Sequence, residues 1–444
     1  MTDNRLTVVG AGLAGCEAAW QAAESGVHVR LYEMKPLKRS PAHKADTFAE
    51  LVCSNSLKAS RINSAAGLLK EEMRRLGSLT VPCALETAVP AGGALAVDRE
   101  KFSQLVTEKI CSHENIEVIR EECTAIPDGF TVIACGPLTS GAMAESISRL
   151  CGGYLSFYDA AAPIVTAESI NMSKAFSAAR YGRGGDDYIN CPFTKEEYLL
   201  FHKELINAES APLHDFDKRE NQRDDFTVYE GCMPIEVLAK RGEDAARYGA
   251  MKPVGLTDPH TGKRPYAVVQ LRCENSAKTM YNIVGFQTNL KFPEQKRVFS
   301  MIPGLENAEF VRFGVMHRNS FINSPKVLSG DFSLRDNPQI FFAGQITGVE
   351  GYMESAAAGI LAGINAVCRM RGADTVILPH DTMIGALSRY ISDKTVTNFQ
   401  PMGANMGILP DIGIRIRDKQ ERYQAIADRA LNSIQTALSE YEPQ

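Results

Sequence analysis

Leu6-Thr7-Val8-Val9-Gly10-Ala11-Gly12-Leu13-Ala14-Gly15-Cys16-Glu17-Ala18-Ala19 decides the fold of this chain. An apolar, β-branched run stops at Gly10, and a helix-forming run opens behind Gly15. In that spacing Gly10 permits the tight turn, Gly12 lets the backbone approach a pyrophosphate, and Gly15 lets helix and strand pack closely. Ala11, Leu13 and Ala14 fill the positions between, where a helix N-terminus offers free N–H groups and the positive end of its dipole. A lone glycine fingerprint is a weak signal, since an ordinary βαβ turn can carry one. Here a second β-rich run, Val27-His28-Val29-Arg30-Leu31-Tyr32, ends at Glu33. A ribose-binding carboxylate belongs about 20 residues after the first glycine, close to that position. The stretch predicts a Rossmann-like α/β unit for a ligand with an ADP moiety.

Length and composition set the frame around it. A chain of 444 residues should hold two or three domains. Apolar content of 44% and charged content of 23% suit a soluble globular protein. No apolar run approaches the ~20 residues of a membrane helix, and Met1 to Arg5 lead straight into a strand, so no signal peptide and no membrane association are expected. The 11 cysteines include no CxxC pair, which argues against a disulfide framework or a zinc ribbon. They read as reduced thiols of a cytoplasmic protein with no metal site. A net charge of −5 excludes nucleic-acid binding by bulk electrostatics; any such partner needs a local basic patch.

Along the chain, Ser64 to Gly77 reads as a helix capped by Ser64, with Leu69, Met73 and Leu76 on one face and Glu71 four before Arg75. Residues 98–111 read as a helix, 116–119 as a strand, and Phe130 to Pro137 as a buried strand. Residues 418–441 read as a last helix with Ala427, Ala430 and Ile434 in its apolar stripe. Between about 155 and 325 the βα alternation gives way to proline, aromatics and short mixed runs. It returns at Gln339-Ile340-Phe341-Phe342-Ala343-Gly344-Gln345, followed by Gly348, Gly351 and the small-residue run from Glu354 to Gly363. The expected architecture is an FAD-binding domain of the glutathione-reductase type in two parts, 1–155 and 326–444, the second with the C-terminal helices. A mixed α+β insertion, 156–325, would face substrate and RNA. The split nucleotide domain and its late strand–glycine–helix element favour FAD over NAD, by fold analogy. No second GxGxxG is present, so a nicotinamide reductant would dock against the flavin.

Several segments are far more specific than the fingerprint. Phe48 to Leu57, Tyr229-Glu230-Gly231-Cys232-Met233-Pro234-Ile235-Glu236, Met251 to Leu256, Met301 to Phe310, Val315-Met316-His317-Arg318-Asn319 and Gly344 to Tyr352 resemble the TrmFO family nearly end to end. These are bacterial flavoproteins related to the larger GidA type, whose length and C-terminal domain this chain lacks. The resemblance implies a tRNA (uracil-5-)-methyltransferase that makes 5-methyluridine at position 54 of the T-loop. It implies FAD as cofactor, 5,10-methylenetetrahydrofolate as carbon donor and NADPH or NADH as reductant, with no obligate protein partner. An FAD oxidoreductase for a small substrate is the alternative.

The family's two catalytic cysteines match Cys232 and Cys53. Cys232 lies just ahead of a helix expected over Pro234 to Arg241, with Pro234 in its first turn, where the dipole favours a thiolate. It is the expected nucleophile on uracil C6. Cys53, followed by the polar turn Ser54-Asn55-Ser56, owes its catalytic reading to the resemblance alone. It is the expected base at C5 or a partner of the flavin, and the two roles can be exchanged. The expected cofactor-binding residues are Gly10, Ala11, Gly12, Leu13, Ala14, Gly15, Glu33, Gly344, Gln345 and Tyr352, the last either stacking on a ring or simply packing. His317, Arg318 and Asn319 suit folate or nicotinamide binding and equally a structural cluster. Arg415, Arg417, Lys419 and Arg422 form the clearest basic cluster, and Lys252, Lys263 and Arg264 a second; solvated surface is the plain reading of both.

Overall fold

The computed structural model describes residues 5–440 apart from 41, 140, 154, 183–184, 212–232, 315 and 398. Five strands form a parallel sheet in the order Ile340–Phe342, Thr131–Ile133, Arg5–Val9, His28–Tyr32, Ile116–Ile119. Val8 lies level with Leu31 on one side and Val132 on the other. The neighbours Val132 and Ile133 point to opposite faces, as do Phe341 and Phe342, yet all four are fully buried. Both faces are therefore covered, as parallel sheets require. The sheet is the α/β, Rossmann-like one expected, and one of its two edge strands, Ile340–Phe342, comes from late in the chain.

Two helices on this sheet set the site. Leu13–Glu24 leaves the glycine turn, and Tyr352–Met370 packs across it. A Cβ on Gly363 would stand 2.6 Å from the Ala18 carbonyl oxygen, and one on Gly359 would overlap that of Ala14. The bare glycine face lets the two backbones meet, which brings the N-terminus of the late helix beside that of the first.

The helix Ala65–Arg75 carries the expected cap, with Ser64 Oγ accepting from Gly67 N–H at 3.2 Å and Glu71 pairing with Arg75 at 3.2 Å. Asp98 caps Arg99–Ser112, and Lys419–Glu440 buries Ala427, Ala430 and Ile434. Two expectations need correction. The strand expected over Phe130 to Pro137 is only Thr131–Ile133, because its neighbour turns away at Gly10 and Ala134 makes the last ladder bond, to Val9. Pro234 is the N-cap of a six-residue helix, Ile235–Lys240, and not a residue of its first turn. Ile235 N–H is drawn out to the Gln287 carbonyl at 2.7 Å, which holds Pro234 extended.

The chain leaves and re-enters this unit through an antiparallel pair, Leu155–Ala160 with Met316–Phe321. Between them lies a six-stranded antiparallel sheet in the order Phe176–Ser177, Tyr188–Phe193, Ala267–Cys273, Met280–Ile283, Ile164–Thr166, Phe310–Arg312. Its own core is aromatic, with Phe193, Tyr198, Phe201, Phe286 and Phe299 buried together. The helix Lys195–Asn207, opened by a Thr194/Glu197 capping box, packs on it. Among the described residues no helix is long and apolar enough to cross a membrane.

Candidate active site

A cavity of about 740 Å³ opens at the carboxyl ends of the parallel strands, where ligands of such sheets bind. Gly10 to Ala14, Glu33, Gly344, Gln345 and Tyr352 line one wall; Phe292, Val311, Arg312 and Phe313 line the other. Of the expected cofactor residues, Gly15 alone lies behind the wall. Its role is steric: a Cβ there would overlap the Gly10 carbonyl oxygen. Gly10 itself has φ +99°, and a Cβ would meet the Ala134 carbonyl oxygen at 2.6 Å. Gly12 is the opposite case, since a Cβ would meet no atom within 4 Å. Its bare face opens onto the cavity at the helix N-terminus, a cradle of the shape a pyrophosphate needs.

Glu33 is buried, and its two oxygens accept from Ala11 N–H at 3.1 Å and Lys35 N–H at 3.0 Å. Those bonds fix the carboxylate at the cavity edge with lone pairs left for a ribose hydroxyl. Gln345 Nε2 donates to Glu350 at 2.6 Å and so fixes the second glycine turn. An ADP-bearing dinucleotide fits this set of groups.

Cys53 sits in the same wall, and Tyr352 is its partner. The phenol oxygen accepts from Cys53 N–H at 2.8 Å and Ser54 N–H at 3.3 Å, and lies 2.9 Å from Cys53 Sγ. A phenol has two lone pairs and one proton. With both lone pairs taken by N–H groups, the proton is the part left to meet sulfur, so Tyr352 donates to Sγ. Burial pushes the tyrosine pKa well up, and negative charge on Cys53 pushes the same way, so the hydroxyl keeps its proton. A donor aimed at sulfur favours thiolate over thiol.

Three arginines from distant elements clamp that loop. Arg99 Nη1 donates to the Leu51 carbonyl at 2.9 Å, and Arg312 donates to the carbonyl of Val52. Arg272, buried in the six-stranded sheet, donates to Asn55 Oδ1 at 2.9 Å and Ser54 Oγ at 2.8 Å. Burial lowers the pKa values of Arg272 and Arg312. Glu274, 2.7 Å from Arg99, sets a carboxylate against this positive field. Sequence reading missed all three arginines. They share no local pattern, and their signal is burial, which becomes visible only in three dimensions.

Cys232 lies outside the described residues. The helix that follows it is tied to the cavity wall, because Gln287, which accepts from Ile235 N–H, lines the cavity. Asn319 is buried and lines the cavity, while the side chains of His317 and Arg318 lie outside the described residues. Cys135 packs, with its thiol on the Val9 carbonyl and its pKa pushed up to about 12 by burial. Arg415, Arg417 and Lys419 are exposed, and Lys419 and Arg422 lie over the Tyr423 ring at 5.3 and 5.6 Å.

The chain is similar to known proteins over nearly its whole length. A family model described as glucose inhibited division protein A matches residues 5–374. The methylenetetrahydrofolate–tRNA-(uracil-5-)-methyltransferase TrmFO of Acetivibrio thermocellus is 60% identical over 438 residues, covering 98% of this chain and 99% of its own length. Its counterpart from Pelotomaculum thermopropionicum is 59% identical over 436 residues, 98% of each chain. The chain belongs to the TrmFO family. The solved structure of Aquifex aeolicus GidA superposes with a TM-score of 0.70 at 18% identity, covering 98% of this chain and 76% of that one. That likeness supports the fold of this TrmFO chain, a Rossmann-like unit carrying an inserted domain.

Proposed function

We propose that this chain transfers a one-carbon unit from methylenetetrahydrofolate to C5 of uracil in tRNA, as a methyltransferase dependent on FAD and NAD(P)H. The observation that carries the reading is Cys53 with its proton donor Tyr352 in the wall of the same cavity as the Gly12 cradle and Glu33. A thiol so placed has no task in simple hydride exchange between a flavin and a nicotinamide. It has one where a carbon must be attached to an unactivated pyrimidine.

Gly12, Glu33 and the paired helix N-termini would hold the dinucleotide, with Gly344 and Gln345 at its other end. Bound FAD, once reduced by NAD(P)H, would supply the hydride that brings the transferred carbon to the methyl level. Cys232 adds to uracil C6, forming the S–C6 bond and raising electron density at C5. C5 then attacks the one-carbon unit. Cys53 takes the C5 proton and the bond from the methylene carbon to the folate nitrogen breaks, so that tetrahydrofolate leaves. Hydride reaching that carbon would then expel the Cys232 sulfur from C6 and leave 5-methyluridine in the tRNA. For the sulfur at 53 to act as a base it must first be a thiolate, the form favoured by the Tyr352 hydroxyl. The arginine clamp holds its loop while that charge comes and goes. Residues 156–325 present the RNA side of the cavity, uracil 54 of the T-loop is the target, and the cytoplasm is the compartment.

Nucleoside mass spectrometry of an unmodified tRNA transcript, after incubation with enzyme, NADPH and methylenetetrahydrofolate, tests the reading. 5-Methyluridine should appear with all components and vanish without folate. A transcript with cytidine at position 54 should gain none, and methylation of that transcript would contradict the T-loop assignment.

A further inference from the structure

The edge of the six-stranded sheet away from the cavity carries a feature that the reaction at the cavity leaves unused. Phe310–Arg312, whose Val311 and Arg312 line the cavity, forms one edge of this sheet, and Phe176–Ser177 forms the other. Five strand spacings of ~4.8 Å put the two edges about 24 Å apart. Just beyond the far edge, Tyr181 adopts φ 59°, ψ 22°, a left-handed conformation unfavourable for an aromatic residue. Its N–H donates to the Gly255 carbonyl at 2.9 Å. Its ring lies over Gly255, where a Cβ would stand 3.0 Å from three ring carbons. The result is a tyrosine ring held outward, 60% exposed.

The loop beneath it is basic. Arg180 is fixed beside Tyr181 by Gln270 Oε1 and the Val254 carbonyl, each at 2.8 Å. Lys252, Lys263 and Arg264 are all exposed, and among the described residues none of them has a carboxylate within ion-pair distance. The loop is tied to the same edge by Tyr181 N–H and by His260, whose Nε2 lies 3.4 Å from the Ala175 carbonyl. Its one carboxylate, Asp258, is buried and accepts from His260 N–H and Thr261 Oγ1. Asp187 is likewise tied to Gly92 N–H, and Asp186 adds one exposed carboxylate against four cations. The other basic cluster is weaker in both respects. Asp411, Asp418 and Glu421 interrupt it, and two of its cations cover their own Tyr423.

We infer that the Tyr181–Lys252–Arg264 edge is a contact surface for the RNA substrate, an inference that rests on tRNA being that substrate. Lys252, Lys263 and Arg264 take backbone phosphates, and the Tyr181 ring stacks on an unpaired base. Exposed cations beside a fixed aromatic face are what a folded RNA with splayed bases requires. In a chain of net charge −5, such a patch draws the polyanion to one side.

The test uses the FAD-loaded enzyme and an unmodified tRNA transcript, with the dissociation constant measured across salt concentrations. Lys252→Gln/Lys263→Gln/Arg264→Gln should bind about tenfold more weakly, and its log–log salt slope should fall by about 2, near 0.7 per lost contact. Tyr181→Ala should weaken binding about fivefold or more with the slope kept, whereas Tyr181→Phe should bind like the wild type. The charge-retaining Lys252→Arg/Lys263→Arg/Arg264→Lys variant should also match the wild type, which separates lost charge from misfolding. FAD content and flavin reduction by NADPH should not change in any of them, since none of these residues lines the cavity. A wild type that binds and methylates tRNA beside a Gln variant of equal affinity and slope overturns this surface alone. A wild type that binds no tRNA overturns the functional reading with it.

Discussion

The Tyr352 hydroxyl lies 2.9 Å from Cys53 Sγ while accepting from the Cys53 and Ser54 backbone N–H groups, so one phenol positions a thiol 299 residues away in the chain and aims its proton at the sulfur. Tyr352 opens the late helix, and Cys53 lies in the first part of the nucleotide-binding unit. The glycine face at Gly359 and Gly363 lets that helix come close enough for the contact.

Tyr352→Phe should therefore leave two N–H groups without an acceptor and the sulfur without a donor. A destabilisation of about 1–3 kcal/mol is expected from the lost bonds. Alkylation of Cys53 by iodoacetamide, followed by peptide mass spectrometry, should slow at neutral pH and recover at alkaline pH. An unchanged rate across pH would mean that the phenol does not govern the thiolate.

The glycines separate cofactor binding from folding. Gly12→Val should fold with a melting temperature close to that of the apo wild type, because the added side chain enters open cavity, yet it should purify without FAD. Gly359→Val should lose stability itself, by about 1–3 kcal/mol of overpacking against the Ala14 carbonyl. Absorbance at flavin wavelengths and thermal unfolding read the two effects separately. Full FAD occupancy in Gly12→Val would remove the pyrophosphate from this turn.

Two buried charges predict the pH dependence of stability. Burial pushes Glu72 up from 4.5 to about 8, against N–H bonds from Met383 and Ile384 that favour its charged form. The folded state thus holds this proton more tightly than the unfolded chain. The contribution to stability is full below pH 4.5 and is lost as pH rises through 8. Burial brings Lys70 down from 10.5 to about 8, so its contribution is full above pH 10.5 and is lost as pH falls through 8. Denaturant unfolding should show a slope of each sign meeting near pH 8. Glu72→Gln should flatten the acid-side slope and Lys70→Met the alkaline one; slopes that persist in these variants would place the titration elsewhere.

The cysteines are expected to divide their roles. With tRNA carrying 5-fluorouracil, where fluorine blocks loss of a proton from C5, the wild type and Cys53→Ala should form a covalent adduct and Cys232→Ala none. RNA mapped to Cys53 instead would exchange the two assignments.

How much of this was legible in the chain follows from how local each signal is. The sheet, both helices of the cofactor side and the Ser64 cap were readable, because glycine spacing, β-branched runs and capping residues act over a few positions. That Gly12 and Glu33 would stand together, here in the cavity wall, was readable for the same reason. The role of Tyr352 as a proton donor was not, since it depends on a loop almost 300 residues earlier in the chain. Nor were Arg99, Arg272 and Arg312, which converge on residues 51–55 from three separate elements. Pro234 was misplaced by one position because a tertiary bond to Gln287, invisible in the local pattern, decides where that helix begins.

In the proposed reaction the methyl carbon comes from folate and reaches uracil through this cavity. The most direct measurement uses methylenetetrahydrofolate labelled in its methylene carbon, with NADPH, FAD-loaded enzyme and unmodified tRNA. The label should appear in 5-methyluridine, in the wild type and not in Cys232→Ala, although both variants reduce their flavin. Unlabelled 5-methyluridine, or no transfer by a wild type that reduces its flavin and binds tRNA, would contradict the account.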